Sequence, residues 1–138
     1  GKGQIAKDND NEYVDCTIIS TGCILSDVIR AAESIEKTSS HLIRVINMPT
    51  LKPIDEALIL YAARCSELLV TVEDHTVIGG LGSAVADVIS KEQNTPQLIK
   101  IGLNDEFPES APPSDLYEKY GLSSNKIQER VLHALLDG

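Results

Sequence analysis

Aromatic residues are scarce in this 138-residue chain: there is no Trp and a single Phe, and aromatics total 4%. Its core must therefore be filled by Ile, Leu, Val and Ala, the usual packing of a parallel sheet between helices. No run of about 18 apolar residues is present, so no membrane-spanning helix is expected, and there is no signal-peptide pattern. Cationic clusters are missing too. With 12 Lys and Arg against 21 Asp and Glu, the net charge is −9, which argues against nucleic acid or an anionic membrane as a partner. Cysteine is sparse, and Cys16, Cys23 and Cys65 lack metal-site spacing. Three thiols in a core-forming chain are expected to stay free in a reducing compartment, with the cytoplasm as the default location.

At 42% hydrophobic residues, the chain supports one domain, residues 1–138, and leaves little for a second. It opens abruptly at Gly1-Lys2-Gly3-Gln4 without Met, as expected of a fragment or subunit of a larger protein.

The stretch LLVTVEDHTVIGGLGSAVADVI, residues 68–89, organises the rest. Leu68, Leu69, Val70 and Val72 read as a strand covered on both faces, and the strand ends at Glu73-Asp74-His75. Gly79, Gly80 and Gly82 then lead into a helix over residues 83–89, with Ser83 at the usual position of a cap. A strand, glycine turn and helix in succession present free N–H groups and the positive end of a helix dipole at the strand's carboxyl edge, where an anion can be received. The better-defined nucleotide fingerprints are absent. GGLGSAV has no Gly-Lys-Ser/Thr, and a dinucleotide motif would need a glycine at Val85 and an acid near Gly102. Turn geometry and close helix packing explain the glycines better than ligand contact does.

Glu73, Asp74 and His75 could suggest metal binding or acid–base work, but no second His lies close in sequence. Bracing of the strand-end turns around Thr21-Gly22 and Gly79-Gly80 by Glu73 is the stronger expectation. His41 and His133 are expected near the surface, and no Ser/His/Asp or Cys/His arrangement is legible.

Elsewhere, residues 4–7 and 14–20 read as strands joined by the polar turn Asp8-Asn9-Asp10-Asn11, an antiparallel hairpin. A helix follows over residues 23–37, with Leu25, Val28, Ile29, Ala32 and Ile35 on one stripe. Residues 42–47 form a strand in which Arg44 is expected at an edge or interface, with a catalytic cation as the other reading. Pro53 suits the first turn of a helix whose buried stripe holds Ile54, Leu58, Tyr61 and Ala62. Residues 97–103 supply the last strand. The proline-rich segment 104–114 reads as a semi-rigid surface loop. A short turn over residues 115–120 then ends at Gly121, and Ser123 or Ser124 caps a final helix whose Ile127, Val131, Leu132 and Leu135 face inward.

The segment TVEDHTVIGGLGSAVADVI, residues 71–89, closely resembles the signature of the C-terminal domain of transketolase and its thiamine-diphosphate relatives. The resemblance extends in order through TIISTG at 17–22, VINMPTLKPID at 45–55, GLNDEFPES at 102–110 and YGLSSNKI at 120–127. It departs at Ala111, where the family usually has Gly, which puts a tight turn there in doubt. The resemblance implies a three-layer α/β/α fold with a five-stranded, mostly parallel sheet and one antiparallel edge strand. It also implies a parent enzyme that moves a two-carbon ketol unit between sugar phosphates in the pentose phosphate pathway, and Glu73-Asp74-His75 most resembles members whose halves are encoded as separate chains. That parent would be a homodimer using thiamine diphosphate and Mg2+. The Gly-Asp-Gly motif for the diphosphate and magnesium is absent here. The chain alone is thus expected to be inactive, to bind no cofactor, and to assemble with the other transketolase domains or subunit. A regulatory anion-binding module, a deoxyxylulose-phosphate synthase end domain and a 2-oxoacid dehydrogenase beta subunit are the alternatives.

Overall fold

The computed structural model describes residues 2–49, 51–76, 80–103 and 113–137, with only the backbone described for His75 and Thr76. Strands β1 (Gln4–Lys7), β2 (Val14–Ser20), β3 (Ile43–Asn47), β4 (Ser66–Thr76) and β5 (Gln97–Leu103) form one sheet in the order β1-β3-β2-β4-β5. Four helices flank it, α1 (Leu25–Thr38), α2 (Glu56–Arg64), α3 (Leu81–Ile89) and α4 (Ser124–Asp137). The pairs β2–β3, β2–β4 and β4–β5 are parallel, whereas β1 runs antiparallel to β3.

The continuous apolar run in β4 follows from its place between two helical layers. Val70 and Val72 face the layer of α1 and α4, where they meet Val28, Ile35, Ile127 and Val131. Leu69 faces α2 and α3, beside Ile59, Leu81 and Val85. All of these side chains are fully buried, and each contributes about 1.5–3 kcal/mol of transfer free energy where it is a Val, Leu or Ile.

Two expectations are corrected by the N-terminal third. The antiparallel strand exists and lies at an edge, but β1 pairs with β3 and not with β2, so residues 4–20 are no hairpin. The reason is long-range bonding. Asp55 accepts from Gly3 N at 3.0 Å, Lys7 Nζ pairs with Glu36 at 2.6 Å, and Asn9 Nδ2 donates to the Ile43 carbonyl at 2.8 Å. Arg44 is likewise no edge residue, because β3 lies between β1 and β2 and the side chain is fully buried. Its guanidinium lies 5.1 Å from the centroid of the Tyr61 ring, pairs with Asp8 at 3.0 Å and donates to the Glu12 carbonyl. A planar fork that both stacks and donates is what makes Arg suited to such a position.

Pro53 does not open α2. It follows a cis Lys52–Pro53 peptide, and the helix starts at Glu56 with Asp55 as its cap, Oδ1 accepting from Leu58 N at 3.1 Å. At the other end of the chain, Gly121 adopts φ +79 and Ser123 Oγ accepts from Lys126 N at 3.2 Å, so of the two serines considered as the α4 cap it is Ser123 that bonds. The loop expected at residues 104–114 lies outside the described residues up to 112.

Candidate functional site at the carboxyl edge of the sheet

Strand order reverses direction between β2 and β4. From β2 the chain moves to β3 on one side and then crosses to β4 on the other, so the carboxyl ends of β2 and β4 form a switch point, the place where open α/β sheets bind ligands. Glu73 and Asp74 stand there. The β4–β5 register shifts between Val72 and Thr76, so both acids belong to an irregular stretch of the ladder. Such a bulge re-aims side chains that regular pairing would hold parallel to their neighbours.

Both carboxylates are buried, each 2% exposed. Burial of a charge requires compensation. Glu73 reaches to the start of α3, where Oε1 accepts from Leu81 N and Oε2 from Gly82 N, each at 3.0 Å. One carboxylate thereby satisfies two of the first N–H groups of α3 and sits at the positive end of its dipole. Gly82 is needed for this fit: a Cβ at that position would lie 2.7 Å from Lys100 Cγ and 3.0 Å from Thr71 Oγ1.

Asp74 turns to the opposite layer. Its Oδ2 accepts from Tyr117 Oη at 3.2 Å, and its Oδ1 would lie 3.0 Å from a Cβ at Gly22, which adopts φ +79. Burial and the Asp74 carboxylate push the Tyr117 phenol up to about 12. Tyr117 has no motif around it in sequence. Its only signal is a phenol placed in a short turn near Gly121.

The sequence-derived candidates separate here. Glu73, Asp74, Gly80, Gly82 and Ser83 come together at the rim. Bracing by Glu73 extends to the α3 start next to Gly80, whereas the side chain at the Thr21-Gly22 turn is Asp74. Ser83 is not the cap: α3 begins at Leu81 with Gly80 in the capping position, and a carboxylate from β4 does the work a serine would do. Gly79 and the His75 side chain lie outside the described residues. Away from the rim, His41 Nδ1 lies 3.0 Å from Ser39 Oγ, and the exposed His133 lies 3.0 Å from Asp137. Cys16 is buried, with its thiol pushed up by desolvation, Cys65 is half-buried and also raised by burial, and Cys23 is exposed. Among the described residues no group of three or more His, Cys, Asp and Glu side chains is placed to hold a metal ion. No described helix is long and apolar enough to cross a membrane.

Among the described residues of the rim, the two acids are held within the chain itself, by its own backbone and phenol. The rim is thus built to fix two helical layers to the end of a central strand.

A family model described as transketolase, C-terminal domain, matches residues 1–127. The chain is 39% identical over 135 residues to a putative transketolase C-terminal section of Methanocaldococcus jannaschii, covering 98% of this chain and 40% of that protein. It is 34% identical over 135 residues to 1-deoxy-D-xylulose-5-phosphate synthase of Nitrosospira multiformis, covering 98% of this chain and 20% of that enzyme. Among solved structures it is similar to a split-gene transketolase described as an inactive beta4 tetramer. There the TM-score is 0.81 and the identity 37%, with 98% of this chain and 41% of that chain covered.

Proposed function

The chain belongs to the transketolase C-terminal domain family, and from that premise we propose that it is the C-terminal section of a transketolase whose remaining segments carry the cofactor and the chemistry. The parent enzyme transfers a two-carbon ketol unit between sugar phosphates and works as a homodimer with thiamine diphosphate and Mg2+. The likeness to the split-gene transketolase supports this most strongly, because it combines 37% identity with a TM-score of 0.81 over 98% of this chain. That relative's tetramer is described as inactive. The present chain, which spans 40% of the length of the archaeal relative, is likewise inactive alone in this reading.

The rim residues do not fit a diphosphate. The Leu81 and Gly82 N–H groups are already taken by Glu73, and Asp74 adds a second negative charge beside it. In this reading the chain makes no contact with the reacting atoms. It presents a rigid carboxyl edge, fixed by Glu73 and Asp74, against which the companion segments dock.

The test is reconstitution. This chain is mixed with a chain carrying the preceding segments, thiamine diphosphate and Mg2+, and both association and ketol transfer are measured. Complex formation with gain of transfer is expected, and neither chain alone should be active. Failure to associate would refute the proposal. The synthase relative supplies a second reading. Formation of 1-deoxy-D-xylulose 5-phosphate by the same complex, without ketol transfer, would favour it.

A further inference from the structure

A groove of about 600 Å³ runs between β5, the last strand in the sheet order, and α4. That volume falls within the roughly 300–1,000 Å³ of small-molecule sites. Lys100, Ile101 and Gly102 of β5 line one side, and Lys126, Glu129, Arg130 and His133 of α4 line the other, with Tyr120 also in the lining. The four α4 residues recur at helical spacing and so form one stripe. Within a chain of net charge −9, Lys126 and Arg130, one turn apart, together with Lys100 put three permanent cations in the lining against the single carboxylate of Glu129. The ion pairing among them is incomplete. Lys126 lies 3.8 Å from Glu129, His133 pairs with Asp137 at 3.0 Å, and Arg130 has no ion-pair partner among the described residues.

We propose that this groove binds a phosphate group carried on a small polar body. Lys126 and Arg130 present a point charge and a bidentate fork to one tetrahedral dianion, and the lining's three cations less the one carboxylate of Glu129 leave a net +2 to meet the dianion's charge of about −1.5 to −2. His133 extends the same stripe by one further turn. Ile101 and Gly102 lie on β5, whose outer edge pairs with no strand among the described residues, and in this proposal their backbone N–H and C=O groups hold hydroxyls or carbonyls of the attached body. Glu129 opposes the anion and competes for Lys126, so it limits affinity. The site is separate from the rim, where Glu73 already fills the α3 N-terminus.

The test uses the 138-residue chain alone, so its outcome does not depend on the parent enzyme. The isotope-labelled protein is titrated with glycerol 3-phosphate, inorganic phosphate and glycerol at constant ionic strength set with chloride, and amide chemical shifts are followed. Saturable shifts confined to residues 101–102 and 120–133 are expected with glycerol 3-phosphate, with weaker binding of inorganic phosphate and none of glycerol. The Lys126→Gln/Arg130→Gln variant should bind about tenfold more weakly or worse, and Glu129→Gln more tightly. Both changes are at exposed positions and leave the fold intact, which the unperturbed remainder of the spectrum will report. Inorganic phosphate binding as tightly as the ester would overturn the part assigned to the β5 edge. No saturable shift, or unchanged affinity in the double variant, would overturn the site.

Discussion

Replacing Glu73 with Gln changes one oxygen of a buried carboxylate into an amino group and leaves the shape almost the same. In the native chain both oxygens accept, from Leu81 N and Gly82 N at 3.0 Å each. An amide has one acceptor, so one of these N–H groups would face an NH2 and lose its bond. Loss of a hydrogen bond to a charged group costs about 1.5–3 kcal/mol. Loss of the negative charge at the α3 N-terminus adds about 0.3–1 kcal/mol. Together the change is about 2–4 kcal/mol. At roughly 3 °C per kcal/mol for a chain of this size, Tm should fall by about 6–12 °C. Differential scanning calorimetry measures the shift, and amide exchange at Leu81 and Gly82 localises it. The same variant bears on the anion reading of the glycine turn. If those N–H groups were held ready for an external anion, Glu73→Gln would tighten phosphate binding there and leave Tm nearly unchanged. A Tm within 1–2 °C of the parent would refute the bracing role, since at roughly 3 °C per kcal/mol it would mean a loss of only about half a kcal/mol.

Three further outcomes follow from the same geometry. Gly22→Ala and Gly121→Ala both place a side chain at φ +79, which costs about 1–2 kcal/mol, but only at Gly22 would the new Cβ meet Asp74 Oδ1 at 3.0 Å. Urea unfolding should therefore show the Gly22 variant to be the less stable of the two, and equal midpoints would exclude close approach as the reason for that glycine. The raised Tyr117 phenol favours the folded state below about pH 10, and this contribution is lost as pH rises through its folded value of about 12. Tm should decline across that interval more steeply in the parent than in Tyr117→Phe, as alkaline melting curves will show. Asp55→Ala removes both the α2 cap and the acceptor for Gly3 N, for a loss of about 1–2 kcal/mol, with the N-terminal segment cut faster in limited proteolysis.

Much of the architecture was legible because its signals are local or because motifs recur in order. The apolar run in β4 sits between two helical layers, β5 occupies the residues 97–103 read from its pattern, and the stripe Val28, Ala32 and Ile35 faces the core. The family followed from five ordered motifs. What failed depended on partners distant in sequence. Gln4–Lys7 carries a strand pattern but nothing that says which strand it joins; Glu36 and Asp55 set that, and they lie 29 and 52 residues away from Lys7 and Gly3. Ser83 has the local credentials of a cap, yet the α3 N–H groups go to a side chain eight and nine residues earlier. Arg44 reads as an edge residue because a lone cation in an apolar strand is costly to bury, and the offsetting Tyr61, Asp8 and Glu12 are visible only in three dimensions. Tyr117 was missed for the same reason, its partner being 43 residues away.

Glu73 and Asp74 are neighbours in sequence that grip opposite halves of the molecule. One holds the start of α3, while the other engages Tyr117 ahead of α4 and abuts Gly22 ahead of α1. A push on the tip of β4 is consequently shared by both sides at once, like load on a crank pin, and cannot tilt one side while sparing the other.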